Sequence, residues 1–283
     1  MNIRVSSLLR GVVVSASLGA MLIASSGLSM AQVVMNGDTI QVEVTNEGNS
    51  DFFITPVWFG FHNGGFDIFD PGATANSFLE VIAEVGDVDP ITDAFEMSPA
   101  SPGDINGVVA SPTGPPPLAP GETSTATVSA INPSNYQYFS FASMIVPTND
   151  NFIANSNPFE YQVFDANDNF LGTNGVFEIQ IFGNQIYDAG TEINDASIMG
   201  GAAFAQGRDG AVSPAENGVI TLEDDLSEFA GLVTPNGFTI SDTTIGANEL
   251  VATIRITIVP EPTSVALFGI ALAGFCGVAR RRH

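Results

Sequence analysis

Along Thr39-Ile40-Gln41-Val42-Glu43-Val44 every second residue is apolar. That period sets one face of a β-strand on a core and the other in water. Stretches of similar β character follow at residues 53–61, 123–130, 138–146, 159–164, 176–182 and 251–258. Turn signals punctuate them, among them Asn36-Gly37, Glu47-Gly48-Asn49, Asn63-Gly64-Gly65, Gly121-Glu122, Asn132-Pro133, Asn174-Gly175 and Pro235-Asn236-Gly237. The run Asp165-Ala166-Asn167-Asp168-Asn169 lies between the 159–164 stretch and Phe170-Leu171, which predicts a hairpin. One segment changes period: Phe78, Leu79, Ile82 and Val85 recur at helical spacing. They predict one short helix over residues 74–85 with Thr74 as its cap. Residues 103–121, which include Pro115-Pro116-Pro117, read as a long surface loop. Many strands with a turn every dozen residues predict an all-β, antiparallel sandwich.

The two ends follow another pattern. The first ten residues hold Arg4 and Arg10 and no acid; an apolar run over 11–24 and the small-residue end Ser29-Met30-Ala31 follow. This is the order of a secretory signal, with cleavage expected after Ala31. A retained anchor is the competing reading, but the run is short of the ~20 residues a spanning helix needs. At the other end stand Val259-Pro260-Glu261-Pro262, an uncharged stretch over 263–279, then Arg280, Arg281, Arg282 and His283. As a helix the stretch spans about 25 Å, enough for a thin bilayer. The prolines end any preceding strand. The arginines are expected to stay cytoplasmic, which leaves the body outside. Cys276 reads as a small apolar residue of that helix. The expected organisation is a signal over 1–31, one domain over 32–259 and a sorting segment over 260–283.

The three-part C-terminus resembles the PEP-CTERM sorting signal of Gram-negative bacteria. The resemblance implies that an exosortase, a membrane cysteine protease, cuts near Pro260, Glu261 and Pro262. It further implies transient anchoring in the inner membrane by the C-terminal transmembrane helix. The processed product would join the cell surface or an extracellular polysaccharide matrix. An ordinary anchor that is never cut is the competing reading.

Composition narrows the chemistry. Between the two signals there is no cysteine and no lysine, and Arg208 and Arg255 are the only cationic residues. Against them stand 30 of the 31 acids, for a net charge of about −28. Such a surface repels nucleic acid. It also repels anionic lipid unless a divalent cation bridges the two. Bound Ca²⁺ or external salt would relieve its self-repulsion. His62 and His283 are the only histidines, so a Ser-His-Asp constellation would have to use His62, and no nucleophile elbow accompanies it. His62 is expected to close a strand and hydrogen-bond the following turn. Histidine- or cysteine-type zinc lacks ligands. Carboxylates are plentiful, yet no spacing points to a glycosidase pair.

Oxygen ligands suit Ca²⁺. Two strand ends are the most organised: Val146-Pro147-Thr148-Asn149-Asp150, and Ile186-Tyr187-Asp188-Ala189-Gly190-Thr191-Glu192. Loops meeting at one tip of a sandwich can share a cation. The 165–169 run lacks the glycine and distal glutamate of an EF-hand and reads as turn chemistry instead.

Four stretches in this order, FFITPVWFGFHNGGFDIFDPG, FLEVIAEVGD, FSFASMIVPTNDNF and YDAGTEIND, resemble the spondin domain of extracellular matrix proteins. The resemblance runs over roughly residues 42–204. It implies an antiparallel β-sandwich and a tip Ca²⁺ held by Asp150 and Asp188, with Glu192 as a further candidate. The carboxylate that animal members carry on an earlier strand is missing from Thr123-Ser124-Thr125-Ala126-Thr127-Val128; Glu122 is the nearest acid.

The leading expectation is a non-enzymatic adhesion or binding module bound to exopolysaccharide or another surface ligand. The alternatives are a secreted, carboxylate-dependent hydrolase acting on the matrix, and a passive structural protein.

Overall fold

A computed structural model of the chain describes residues 32–259, apart from 102, 104, 114–116, 131, 198–200, 208–212 and 224. The predicted signal and sorting segments, with Pro260, Glu261, Pro262, Arg280, Arg281 and Arg282, lie outside the described residues. Among those described, no helix is long and apolar enough to cross a membrane.

The strands are β1 (Gln32–Val33), β2 (Thr39–Asn46), β3 (Phe53–Ile54), β4 (Val57–His62), β5 (Asn106–Val109), β6 (Thr123–Ser129), β7 (Tyr138–Val146), β8 (Asn151–Ala154), β9 (Tyr161–Gln162), β10 (Asn169–Phe170), β11 (Val176–Phe182), β12 (Ile186–Asp188), β13 (Thr221–Leu222) and β14 (Leu250–Val259). Two helices, α1 (Ser77–Val85) and α2 (Asp89–Glu96), follow β4. One sheet runs β11-β14-β2-β6; the larger one runs β13-β12-β8-β7-β4-β5, with β3 and β9 also paired to β7. These pairings are antiparallel.

The alternation read in β2 places Ile40, Val42 and Val44 in the core between the sheets, where Phe59, Phe61, Phe139, Phe141, Ile179, Ile181, Ile254 and Ile256 join them. The outer face of the smaller sheet is in water, so its strands β6 and β11 keep a period of two. The larger sheet is covered on both faces. Every residue of β4, and all of β7 after Tyr138, is buried. Its second face carries Trp58, Ala142 and Phe152 against Leu79 and Ile82 of α1 and Ile91 and Phe95 of α2. Gly60 is the only residue that fits its place in β4: a Cβ there would stand 2.7 Å from the Phe95 ring.

Several expectations need correction. There are two helices, not one. α2 was hidden because it is eight residues long and starts Asp-Pro, which reads as a turn. The cap of α1 is Asn76 rather than Thr74: its Oδ1 accepts from Leu79 N at 3.0 Å, while its Nδ2 donates to Ile68 O. Asn76→Ala is expected to cost about 1 kcal/mol in urea unfolding, the usual penalty for an uncapped helix start. The 53–61 stretch is two strands, because Thr55 and Pro56 interrupt it. The 103–121 loop contains β5, which pairs with β4, and a bridge from Leu118 to Ile54. The expected hairpin is a single bridge, Phe164 to Phe170, around a turn held by Asp165; β9 pairs with β7 and β10 with β1. Asp165 Oδ1 accepts from Asn167 N and Asn169 N, the turn chemistry expected of that run.

Register fixes the two ends of the sandwich. β14 finishes at Val259, opposite Thr39. At the far end of β2, Asn46 donates to Phe52 O and Leu118 O, beside the Phe53–Val146 pair and the start of β8. The chain therefore enters its C-terminal segment at the end opposite the 147–151 turn.

Candidate functional site at the tip

The Thr148-Asn149-Asp150-Asn151 turn carries four polar residues in sequence, and all four are 0% exposed. β7 and β8 pair in a tight reversal, Met144 opposite Phe152, so the connection is drawn under the loops that follow β12. Thr148 O accepts from Ala203 N, and Asn149 exchanges bonds with Ser213 and Asp195 N. β12 lies alongside β8 with Asp188 opposite Asn151, which brings the two predicted turns together.

Asp150 reaches into the second turn. Its Oδ2 accepts from Thr191 N at 2.8 Å, Thr191 Oγ1 at 3.0 Å and Glu192 N at 3.0 Å. Its Oδ1 is buried and accepts nothing. Asp188 Oδ1 accepts from Gly190 N at 2.6 Å and Oδ2 from Asn194 Nδ2 at 2.9 Å. Asp150, Asp188 and Glu192 thus occupy one end of the sandwich. Glu122 serves elsewhere: it accepts from Ser111 Oγ, Thr113 Oγ1 and Ala119 N and closes its own turn.

Three groups at the tip escaped sequence reasoning. Asn194 Nδ2 also donates to Glu223 Oε2 at 3.2 Å, and Asn151 Nδ2 donates to the same oxygen at 3.2 Å. Glu223 is 72 residues from Asn151 in the chain and lies just past β13. No local pattern could join them, and asparagines between strands look like turn residues.

The electrostatics are unbalanced. Arg255 is on the smaller sheet with Glu178 at 3.0 Å and Glu43 at 3.6 Å, so no arginine or lysine among the described residues serves the tip. Burial pushes the Asp188 carboxyl up to about 7, and the charge of Asp150 adds to it, against the Gly190 hydrogen bond. Burial also pushes Glu192 up to about 7, with Glu84 and Asp150 adding to it. Asp150 is raised as well: desolvation outweighs its three hydrogen bonds. Asp150 Oδ1, Asn151 Oδ1 and Asn194 Oδ1 are all buried acceptors without a donor. Each such atom costs about 1–3 kcal/mol. A cation would answer both the surplus charge and the unpaired oxygens, and an all-oxygen donor set fits Ca²⁺. Among the described residues no three His, Cys, Asp or Glu side chains are grouped closely enough to hold a metal by themselves. Carbonyl oxygens would have to complete the set.

His62 stands apart. It closes β4 fully buried; its Nδ1 accepts from Gly64 N at 3.0 Å and its Nε2 lies 2.9 Å from Ser140 Oγ. It therefore hydrogen-bonds the following turn, as its place in the sequence indicated. With Nδ1 accepting, Nε2 carries the proton, and desolvation holds the pKa down to about 4. A neutral ring that donates toward the serine is not poised to activate it.

The comparisons bear on the C-terminal end, where β14 stops. Residues 259–282 match the PEP-CTERM protein-sorting motif. The protein is therefore exported, processed by an exosortase and associated with the cell surface. The PEP-CTERM match starts at Val259, the last residue of β14, so the sorting motif abuts the sheet directly. No curated protein matches the chain.

Proposed function

We propose that this PEP-CTERM protein is a non-enzymatic binding module of the cell surface or exopolysaccharide matrix, spondin-like in its sandwich and dependent on Ca²⁺ at the Asp150–Asp188 tip. The observation that carries the reading is the tip: carboxylates with no counter-ion among the described residues, beside three buried oxygens, Asp150 Oδ1, Asn151 Oδ1 and Asn194 Oδ1, that have no donor. In this reading Asp150 and Asp188 hold the cation, with Glu192 beside them, and Ca²⁺ joins the acidic domain to an anionic polysaccharide. Its place in the fold supports display. Val259, the last residue of β14, lies at the end of the sandwich opposite the tip.

A matrix hydrolase is the weaker reading. It needs an acid and a base facing one substrate bond. Asp150 is fully buried, and both oxygens of Asp188 are engaged within the protein. Co-sedimentation with exopolysaccharide from the host, in Ca²⁺ or in EDTA, tests the proposal. Binding in Ca²⁺ alone, with no release of reducing ends, is expected. Release of reducing ends would replace binding by hydrolysis, and sedimentation that ignores Ca²⁺ would refute the cation's role.

A further inference from the structure

Two amides at the tip, Asn151 fully buried and Asn194 half-buried, have their donors in use and their acceptors idle. Asn151 is 0% exposed; its Nδ2 donates to Glu223 Oε2, and its Oδ1 accepts nothing. Asn194 Nδ2 donates to both Asp188 Oδ2 and Glu223 Oε2, and its Oδ1 is likewise buried and unpaired. Asn194 thus bridges the two carboxylates, and Asn151 brings a second NH₂ group to Glu223. An asparagine amide has a soft, roughly two-fold terminal torsion, so half a turn exchanges NH₂ for carbonyl oxygen. After both half-turns, four oxygen-bearing groups converge where two NH₂ groups now stand.

We infer that the tip Ca²⁺ lies between Asp188 and Glu223, with the carbonyl oxygens of Asn151 and Asn194 as further side-chain ligands besides Asp150. The inference rests on the proposal that the tip takes Ca²⁺ and adds three ligands that the spacing of the turns does not indicate. Without the cation, NH₂ groups face the carboxylates because opposite partial charges attract. With it, the amides turn over and both unpaired acceptors find a partner. The arrangement also supplies the missing donors, since Ca²⁺ takes six to eight oxygens and the acids here are too dispersed to provide them alone. Glu223 also lines a neighbouring cavity of about 170 Å³ with Asp225, Ser227, Thr243 and Thr244.

Asn194→Asp separates the two possible roles of the amide. As a mere hydrogen-bond bridge, Asn194 cannot be replaced by a group that only accepts, and Ca²⁺ would bind no better. As a ligand, its replacement by a carboxylate strengthens Ca²⁺ binding. Calorimetric titration of Ca²⁺ into the full chain, at fixed ionic strength, reads this directly. One ion per wild-type chain is expected. Glu223→Gln should bind at least tenfold more weakly, the lower end of what even outer-shell changes cost. Asn194→Asp should bind several-fold more tightly, while Asn167→Asp, which adds the same charge in the exposed 165–169 turn, should bind as wild type does. Circular dichroism of each variant checks that it is folded. If Glu223→Gln and Asn194→Asp leave affinity unchanged but Asp188→Asn abolishes it, these added ligands are wrong and the tip reading stands. If Asp188→Asn also leaves it unchanged, both fall.

Discussion

At pH 8 and constant ionic strength, saturating Ca²⁺ is expected to raise the melting temperature of the wild-type chain by about 5–10 °C. Asp150→Asn and Asp188→Asn should gain far less. The magnitude follows from ligand linkage: Ca²⁺ at a hundred times its dissociation constant adds ~2.7 kcal/mol. In a domain of this size each kcal/mol moves the midpoint by about 2–4 °C. Charge alone cannot decide the matter, since any cation relieves some repulsion in so acidic a protein. Matched Na⁺ therefore has to be the reference. The pH dependence sharpens the expectation. Asp188 and Glu192 titrate at about 7 when folded, above their ordinary values of 3.8 and 4.5. The folded state then binds the extra protons, so the contribution of these two groups to stability without Ca²⁺ is greatest below the ordinary values and is lost as pH rises through about 7. Ca²⁺ should cancel that loss, because it stabilises the ionised carboxylates. Asp188→Asn should be more stable than wild type at pH 8 in EDTA. A Ca²⁺ shift equal in all three proteins would mean diffuse screening and no site.

The second large effect belongs to His62 and has the opposite sign. A base whose folded pKa is depressed, here from 6.5 to about 4, stabilises the fold above its unfolded value and loses that contribution as pH falls. Between pH 6.5 and 4 the wild type should lose about 3 kcal/mol through this residue, at 1.36 kcal/mol for each pH unit. Urea unfolding of wild type and His62→Gln across that range isolates the contribution. The glutamine variant should lack this share of the acid destabilisation. Parallel curves would show that the ring takes up protons without cost to the fold.

Where one face of a strand is wet, its boundaries followed from alternation: β2, β6 and β11 emerged within a residue or two. β7 was found through its continuous apolar run, despite lacking alternation, because burial on both faces leaves no polar period to keep. The same double burial required a covering layer on the larger sheet. Only α1 announced itself, since α2 offers just Ile91 and Phe95 to the core and begins like a turn. β5 was lost among glycines and prolines because its partner β4, not its own sequence, makes it a strand. At the tip, Asp150 and Asp188 were readable as strand-end carboxylates. Asn151, Asn194 and Glu223 were not. What makes them notable is an unpaired oxygen or a shared one, a property that exists only once distant loops meet.

This chain is an exported, exosortase-sorted surface protein, and we propose that the domain over residues 32–259 is the part left after processing. Intact-mass measurement of the protein isolated from its native host tests that most directly. A mass that starts at Gln32 and ends near Pro260, Glu261 and Pro262 is predicted; a mass that still includes residues 263–283 would contradict it.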